Sequence, residues 1–233
     1  MSRIAVIVPA LNEADNIRNL VDDIRAALPV QVIVVDNGSS DETAAEAQST
    51  GARVVSEPRR GYGYACATGA TAAQEAEILA FIDADYSFLP SELPLVLAPI
   101  IQGKADLVLG SRQSGRMEKG AMPAHQRFGN WLAAFMVNRL YRLELTDIGP
   151  YRAVKHSLLL SLDMHEMTYG WPVEMVAKAA RNGARIVEVP VSYRSRRYGR
   201  SKVGGTIKGS LLAAWSILGT TLRYAGRRKV PSE

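Results

Sequence analysis

Cysteine is nearly absent. Cys66 is the single one in 233 residues, so no internal disulfide can form and a reducing compartment is expected. Low-complexity tracts are missing too, and a hydrophobic content of 47% puts the chain among ordered globular proteins with enough length to bury a real core. The start, MSRIAVIVPALNE, has no basic segment followed by an apolar one, which predicts no signal peptide. The apolar stretch at 209–222 is uncharged for only fourteen residues, short of the roughly 18 to 20 that a membrane span needs. Acid is lacking in one region: 191–230 holds ten Lys or Arg and no Asp or Glu, so the net charge of +5 belongs to the tail. Such a region favours phosphates, nucleic acid or an anionic membrane surface. His125, His156 and His165 are scattered without metal-site spacing and read as structural.

What is present alternates in a regular way. Residues 4–8, 31–35, 53–55, 78–82 and 106–109 are rich in Val, Ile and Leu without polar alternation, which predicts strands covered on both faces. Helix signals lie between them: Asn12 before EADNIRNLVDDIRAAL, Ser39 or Ser40 before DETAAEAQS, and Pro90-Ser91 before ELPLVLAPII. Strand, helix, strand, helix implies an α/β fold with a mostly parallel sheet flanked by helices, and ligands of such sheets bind beyond the carboxyl ends of the strands. After residue 109 come a Gly-rich basic loop, a helix over AHQRFGNWLAAFMVNRLYRL, a polar turn into a short strand, a helix through WPVEM, a strand at 185–189 and the basic loop YRSRRYGRSK. A final helical stretch is expected from about 205 to 224. One catalytic domain over 1–204 and a C-terminal amphipathic helix with a basic tail over 205–233 account for the chain.

The stretch EILAFIDADYSF at 77–88 carries the strongest chemical signal. Residues i and i+2 of a strand point the same way, so Asp83 and Asp85 at a strand's end aim two carboxylates into one crevice. Hard oxygen ligands select Mg2+ or Mn2+, and Mg2+ completes its shell with water and substrate phosphates, so the pair predicts a metal-bridged diphosphate. A solvated turn with two acidic caps is the plain alternative. Three other polar loops, PALNE, DNGS and RRGYG, follow the first three strands and so meet the same sheet edge. A dinucleotide fingerprint beginning at Gly61 fails because Cys66 stands where a third Gly or Ala is needed.

The ordered set VIVPALNE, VVDNGSSDET, RRGYGYACATGA, FIDADYS, GSR, TDIGPYRA, WPVEM and YGRSK resembles an inverting family 2 glycosyltransferase of the GT-A fold. It is most similar to the soluble catalytic domain of dolichyl-phosphate mannose and polyprenyl-phosphate glucose synthases. The resemblance spans roughly 3–205 and implies a nucleotide-sugar donor, a UDP- or GDP-hexose, with Mg2+ or Mn2+ as cofactor. It implies that Pro9, Ala10 and Glu13 line the nucleoside pocket, that Asp36 meets the base, and that Arg60 and Gly61 approach the donor phosphate or ribose. Asp83 then contacts the nucleoside side and Asp85 the metal, with Ser87 where relatives often carry a glutamine ligand. Relatives often read Asp-Asp-Gly-Ser where this chain has Asp36-Asn37, so only the first acid is kept.

On the acceptor side the resemblance implies that Arg112 and Arg127 grip a phosphate, that Glu174 lies near the acceptor, and that Asp147 is a base or orienter near the anomeric carbon. Arg200 and Lys202 belong to a segment implied to close over the diphosphate. Helix capping by Asn12, a solvated helix face for Arg127 and a helix N-terminal charge for Glu174 stand as alternatives. The implied reaction is a single inverting displacement onto a polyprenyl phosphate by a cytoplasmic enzyme. Contact with a membrane surface through the last helix, or a homodimer, fits the tail; nucleic acid is not expected as a partner. Transfer to a soluble acceptor is the runner-up. A nucleotide-sugar pyrophosphorylase would need a glycine-rich basic loop after the first strand, which PALNEADN lacks.

Overall fold

The computed structural model describes residues 3–198 and the isolated position 219. The expectations for Arg200, Lys202 and the 205–224 helix lie outside the described residues. Seven strands form one sheet: β1 (Ile4–Ala10), β2 (Gln31–Asp36), β3 (Arg53–Ser56), β4 (Ile78–Phe81), β5 (Leu107–Ser111), β6 (Arg152–Lys155) and β7 (Ile186–Pro190). Their order is β3-β2-β1-β4-β6-β5-β7. β6 runs antiparallel to both β4 and β5, and every other pair is parallel. The predicted, mostly parallel α/β sheet is therefore present, with strand boundaries within about two residues of those expected.

Alternation within the strands builds two cores. Ala5 and Ile7 of β1, with Ile33, Leu79, Phe81 and Leu109, face α3 (Tyr62–Ala72), α5 (Ala124–Tyr141) and α7 (Trp171–Arg181). Val6 and Val8, with Val34, Ala80 and Val108, face α1 (Ala14–Ala27) and α4 (Leu93–Ile101). Strands buried on both faces have no polar side, which is why their sequences read as continuous apolar runs. Two shorter helices, α2 (Thr43–Ser49) and α6 (His156–Ser161), complete the set. Among the described residues no helix is long and apolar enough to cross a membrane.

The chain leaves β1 for β2 on one side and later returns to place β4 on the other. Loops that follow β1 and β4 thus diverge from adjacent strands and open a crevice between them. Both acids of the 83–85 pair sit just beyond β4, on its carboxyl end.

Candidate active site

The loops after β1, β2 and β3 are tied together by side-chain hydrogen bonds. Asn12, expected to cap α1, instead takes a left-handed φ of 51°. Its Oδ1 accepts the Ser40 amide at 2.7 Å, and its own amide donates to Ser39 Oγ at 2.9 Å. The start of α1 is served from across the loop, where Thr43 Oγ1 accepts the Glu13 amide at 2.8 Å and Asp41 accepts that of Ala14 at 3.3 Å. α2 begins at Thr43, and its N-cap position is Glu42, not Ser39 or Ser40.

Asn37 explains one departure from the family pattern. Its amide nitrogen donates to the carbonyls of Glu57 at 2.9 Å and Arg59 at 2.7 Å, while its Oδ1 accepts the Gly61 amide at 3.0 Å. An aspartate could accept but not donate, so this knot between the loops after β2 and β3 needs the amide. Asp36 accepts the Ser39 amide at 3.0 Å, and the Arg60 guanidinium lies across Gly38. Pro9 and Ala10 fall within β1 rather than in the loop, with Ala10 in the core.

The close approach that Gly61 and Gly63 permit is made by the chain itself. A Cβ at Gly61 would lie 2.4 Å from the Met167 carbonyl oxygen, and one at Gly63 2.6 Å from that of Glu166. Glu174 holds that intruding segment: fully buried, its carboxylate accepts the amides of His165 and Glu166 at 3.0 and 2.6 Å and pairs with Lys178 at 2.9 Å. The structure thus gives Glu174 a role in positioning the 165–168 segment against the loop after β3.

In the crevice, Asp85 Oδ1 accepts the amide and hydroxyl of Ser87 at 3.0 and 2.6 Å. Ser87, expected as a metal ligand, is buried and orients Asp85 instead. Asp85 Oδ2 faces Arg196 at 3.3 Å, and the same guanidinium donates to Glu13 Oε1 at 2.7 Å. Asp83 Oδ1 is sealed from solvent and has no hydrogen-bond partner among the described residues. Burial first, and then the charge of Asp85, push the Asp83 carboxyl well above the ordinary carboxylate range, to about 7. Beneath it lies the buried Arg152 of β6, whose pKa burial pulls down to about 10. An unpartnered carboxylate oxygen beside a second acid is a site that fits a cation. No group of three or more His, Cys, Asp or Glu suited to a metal occurs among the described residues; the two carboxylates would hold Mg2+ or Mn2+ only with phosphates and water completing the shell.

The acceptor side is built differently. Asp147 is fully buried; its Oδ2 accepts the backbone amide and Nε of Arg112 at 2.8 and 2.7 Å, and its Oδ1 accepts Nη2 at 2.7 Å. With both oxygens committed to one guanidinium, Asp147 orients Arg112. Glu188 on β7 fixes this pair from behind by accepting the amides of Thr146 at 2.9 Å and Asp147 at 2.8 Å. Asn130 of α5 joins in, its Oδ1 accepting Arg112 Nη2 at 3.4 Å and the Ile148 amide at 3.1 Å, while its Nδ2 is buried without a partner among the described residues. Arg127 lies one turn before Asn130, exposed on α5.

Sequence reasoning missed Arg196, Asn130, Arg152 and Glu188. For Arg196 the acid-free run was the signal; the others lie inside regular elements, where a polar residue looks like any solvated one.

The model of glycosyl transferase family 2 matches residues 5–162. The chain belongs to that family, and it is a glycosyltransferase. An uncharacterised glycosyltransferase of Mycobacterium tuberculosis is 38% identical over 221 residues, covering 92% of this chain and 97% of that one. The undecaprenyl-phosphate mannosyltransferase of Micrococcus luteus is 31% identical over 239 residues, covering 97% and 98%. Among solved structures, the glucosyl-3-phosphoglycerate synthase of Mycobacterium tuberculosis, crystallised with Mn2+, UDP-glucose and phosphoglyceric acid, has a TM-score of 0.78 at 26% identity. That alignment covers 99% of this chain and 81% of the synthase. These likenesses agree with the GT-A fold that the motif order implied.

Proposed function

We propose that this glycosyltransferase moves a hexosyl group from a nucleoside-diphosphate sugar to a polyprenyl phosphate, with Mg2+ or Mn2+ held by Asp83 and Asp85. The observation that carries the reading is the oxygen of Asp83, sealed and without a hydrogen-bond partner among the described residues, next to Asp85 in the crevice after β4. Such a carboxylate is costly to keep charged and bare, and a cation brought with a diphosphate relieves that cost. The bound metal would stabilise the departing diphosphate. Glu13, Asp36 and Arg60 would hold the nucleoside, and Arg200 and Lys202 would add charge over the diphosphate. Arg112, fixed by Asp147, and Arg127 would bind the acceptor phosphate, because an oriented guanidinium matches two phosphate oxygens at once. A phosphate is already anionic at neutral pH, so no base is required, in keeping with an Asp147 bound up with Arg112.

The likeness to a synthase crystallised with phosphoglyceric acid favours a second reading, transfer to a small soluble phosphate or carboxylate. The two are separated by offering UDP- and GDP-hexoses with undecaprenyl phosphate or phosphoglycerate and following sugar transfer. Product on the lipid phosphate is expected; product on phosphoglycerate alone would replace the first reading by the second. Asp85→Ala is expected to abolish transfer and to remove the Mn2+-dependent rise in melting temperature given by nucleoside diphosphates. Full activity in that variant would refute the metal assignment.

A further inference from the structure

One face of α5 carries three large aromatic side chains that no other described residue covers. Phe128, Trp131 and Phe135 are 62%, 57% and 54% exposed, although the side chains on the other face, Ala133, Ala134 and Val137, are buried. Their spacing of three and four residues puts them on one stripe. The rings touch in series, Phe128 to Trp131 at 5.8 Å between centroids and Trp131 to Phe135 at 5.7 Å. Isolated exposed apolar residues are ordinary, but a contiguous aromatic row of this size marks a contact surface.

The charge around the row selects the partner. From Ala124 to Tyr141 the helix contains no Asp or Glu, and Arg127 and Arg139 are exposed on it. Rings of Phe and Trp flanked by arginines, with no acid between, match the headgroup layer of a bilayer containing anionic lipid. Position matters as much as composition. Arg127 lies between the aromatic row and Asn130, which touches Arg112, so the row adjoins the basic pocket assigned to the acceptor phosphate.

We infer that the aromatic face of α5 docks this enzyme on an anionic lipid surface, placing the Arg112 pocket at the depth of a lipid phosphate. The inference rests on the acceptor reading above for its purpose, though not for the contact itself. It assigns the membrane contact to α5, inside the catalytic domain, and not only to the basic tail.

Flotation of the full chain with vesicles of equimolar phosphatidylglycerol and phosphatidylcholine, without donor or acceptor, tests the contact. The wild type should float, and the triple variant Phe128→Ser, Trp131→Ser, Phe135→Ser should partition about tenfold more weakly while keeping its melting temperature. Arg139→Gln should reduce the preference for phosphatidylglycerol over pure phosphatidylcholine. Absence of wild-type flotation, or equal flotation of the triple variant, overturns the inference. So does a dimer in light scattering that the triple variant abolishes and vesicles leave intact, since a second copy would then cover the row. Transfer to the short, water-soluble citronellyl phosphate separates the two readings. The triple variant should retain it while losing transfer to undecaprenyl phosphate in vesicles. Flotation that depends on the row, with no transfer to either phosphate, would leave the docking surface standing and remove the acceptor reading.

Discussion

The two walls of the crevice handle buried charge in opposite ways. On the wall assigned above to the donor, Asp83 keeps one oxygen sealed and without a partner among the described residues, and Asp85 shares an arginine with Glu13. On the acceptor wall Asp147 and Arg112 satisfy each other through three hydrogen bonds, and Glu188 buttresses them through two more backbone amides. A buried carboxylate oxygen without a partner beside a second acid costs stability, and a cation would supply what is missing. A satisfied ion pair instead fixes geometry. In the reading proposed above, the first wall would be completed by its substrate, and the second would present a guanidinium already in place.

Breaking that contrast should cost stability on one wall only. Asp147→Ala leaves the Arg112 guanidinium, whose side chain is 12% exposed, without its counter-ion, and about 3 to 5 kcal/mol of unfolding free energy should be lost. Asp85→Ala, which abolishes activity, should change stability by less than about 1 kcal/mol, because it also relieves the repulsion on Asp83. Denaturant unfolding of both variants, free of metal and nucleotide, gives the comparison. Equal losses would mean that the donor wall is as much a structural scaffold as the acceptor wall.

A second test concerns pH. Asp83 is raised from its ordinary 3.8 to about 7, so between those values the native state binds more protons than the unfolded one. Its contribution therefore favours folding at low pH and is lost as pH rises through about 7. Asp83→Asn cannot ionise, so the variant should match the wild type near pH 4 and exceed it by about 4 kcal/mol at pH 8 in metal-free buffer. A gap that stays constant across this range would show that Asp83 does not titrate as its burial requires.

How much of this was legible beforehand differs between the walls as well. The sheet was readable because strands covered on both faces must be apolar throughout, and the loops could be placed because parallel strands bring their carboxyl ends to one edge. Asp83 and Asp85 were placed at the right sheet edge, but they lie in the turn beyond β4, where strand alternation does not set their direction. What side chains do with one another was not readable. The glycines at 61 and 63 were taken to admit a ligand, yet the chain's own 166–167 backbone fills that space. Ser87 and Glu174 were placed against metal and acceptor, yet each supports a neighbouring segment through local hydrogen bonds. Contacts between residues a hundred positions apart, such as Glu13 with Arg196, leave no periodicity to read.

Arg196 sharpens the contrast at its smallest scale. Its guanidinium, 17% exposed, spans from Glu13 at 2.7 Å to Asp85 at 3.3 Å, so a positive charge already stands at the carboxylate assigned to the metal. A cation arriving alone must displace it from Asp85; a cation arriving with a diphosphate offers the arginine a new anion. Arg196→Gln should therefore raise the affinity for Mn2+ alone about threefold to tenfold, read as free Mn2+ by electron paramagnetic resonance, while reducing the further gain on adding nucleoside diphosphate. Arg196→Lys, which keeps the charge without the fork, should fall between. Unchanged Mn2+ affinity in both variants would reduce Arg196 to a clasp for the loop after β7, and the donor wall would then owe its readiness to Asp83 alone.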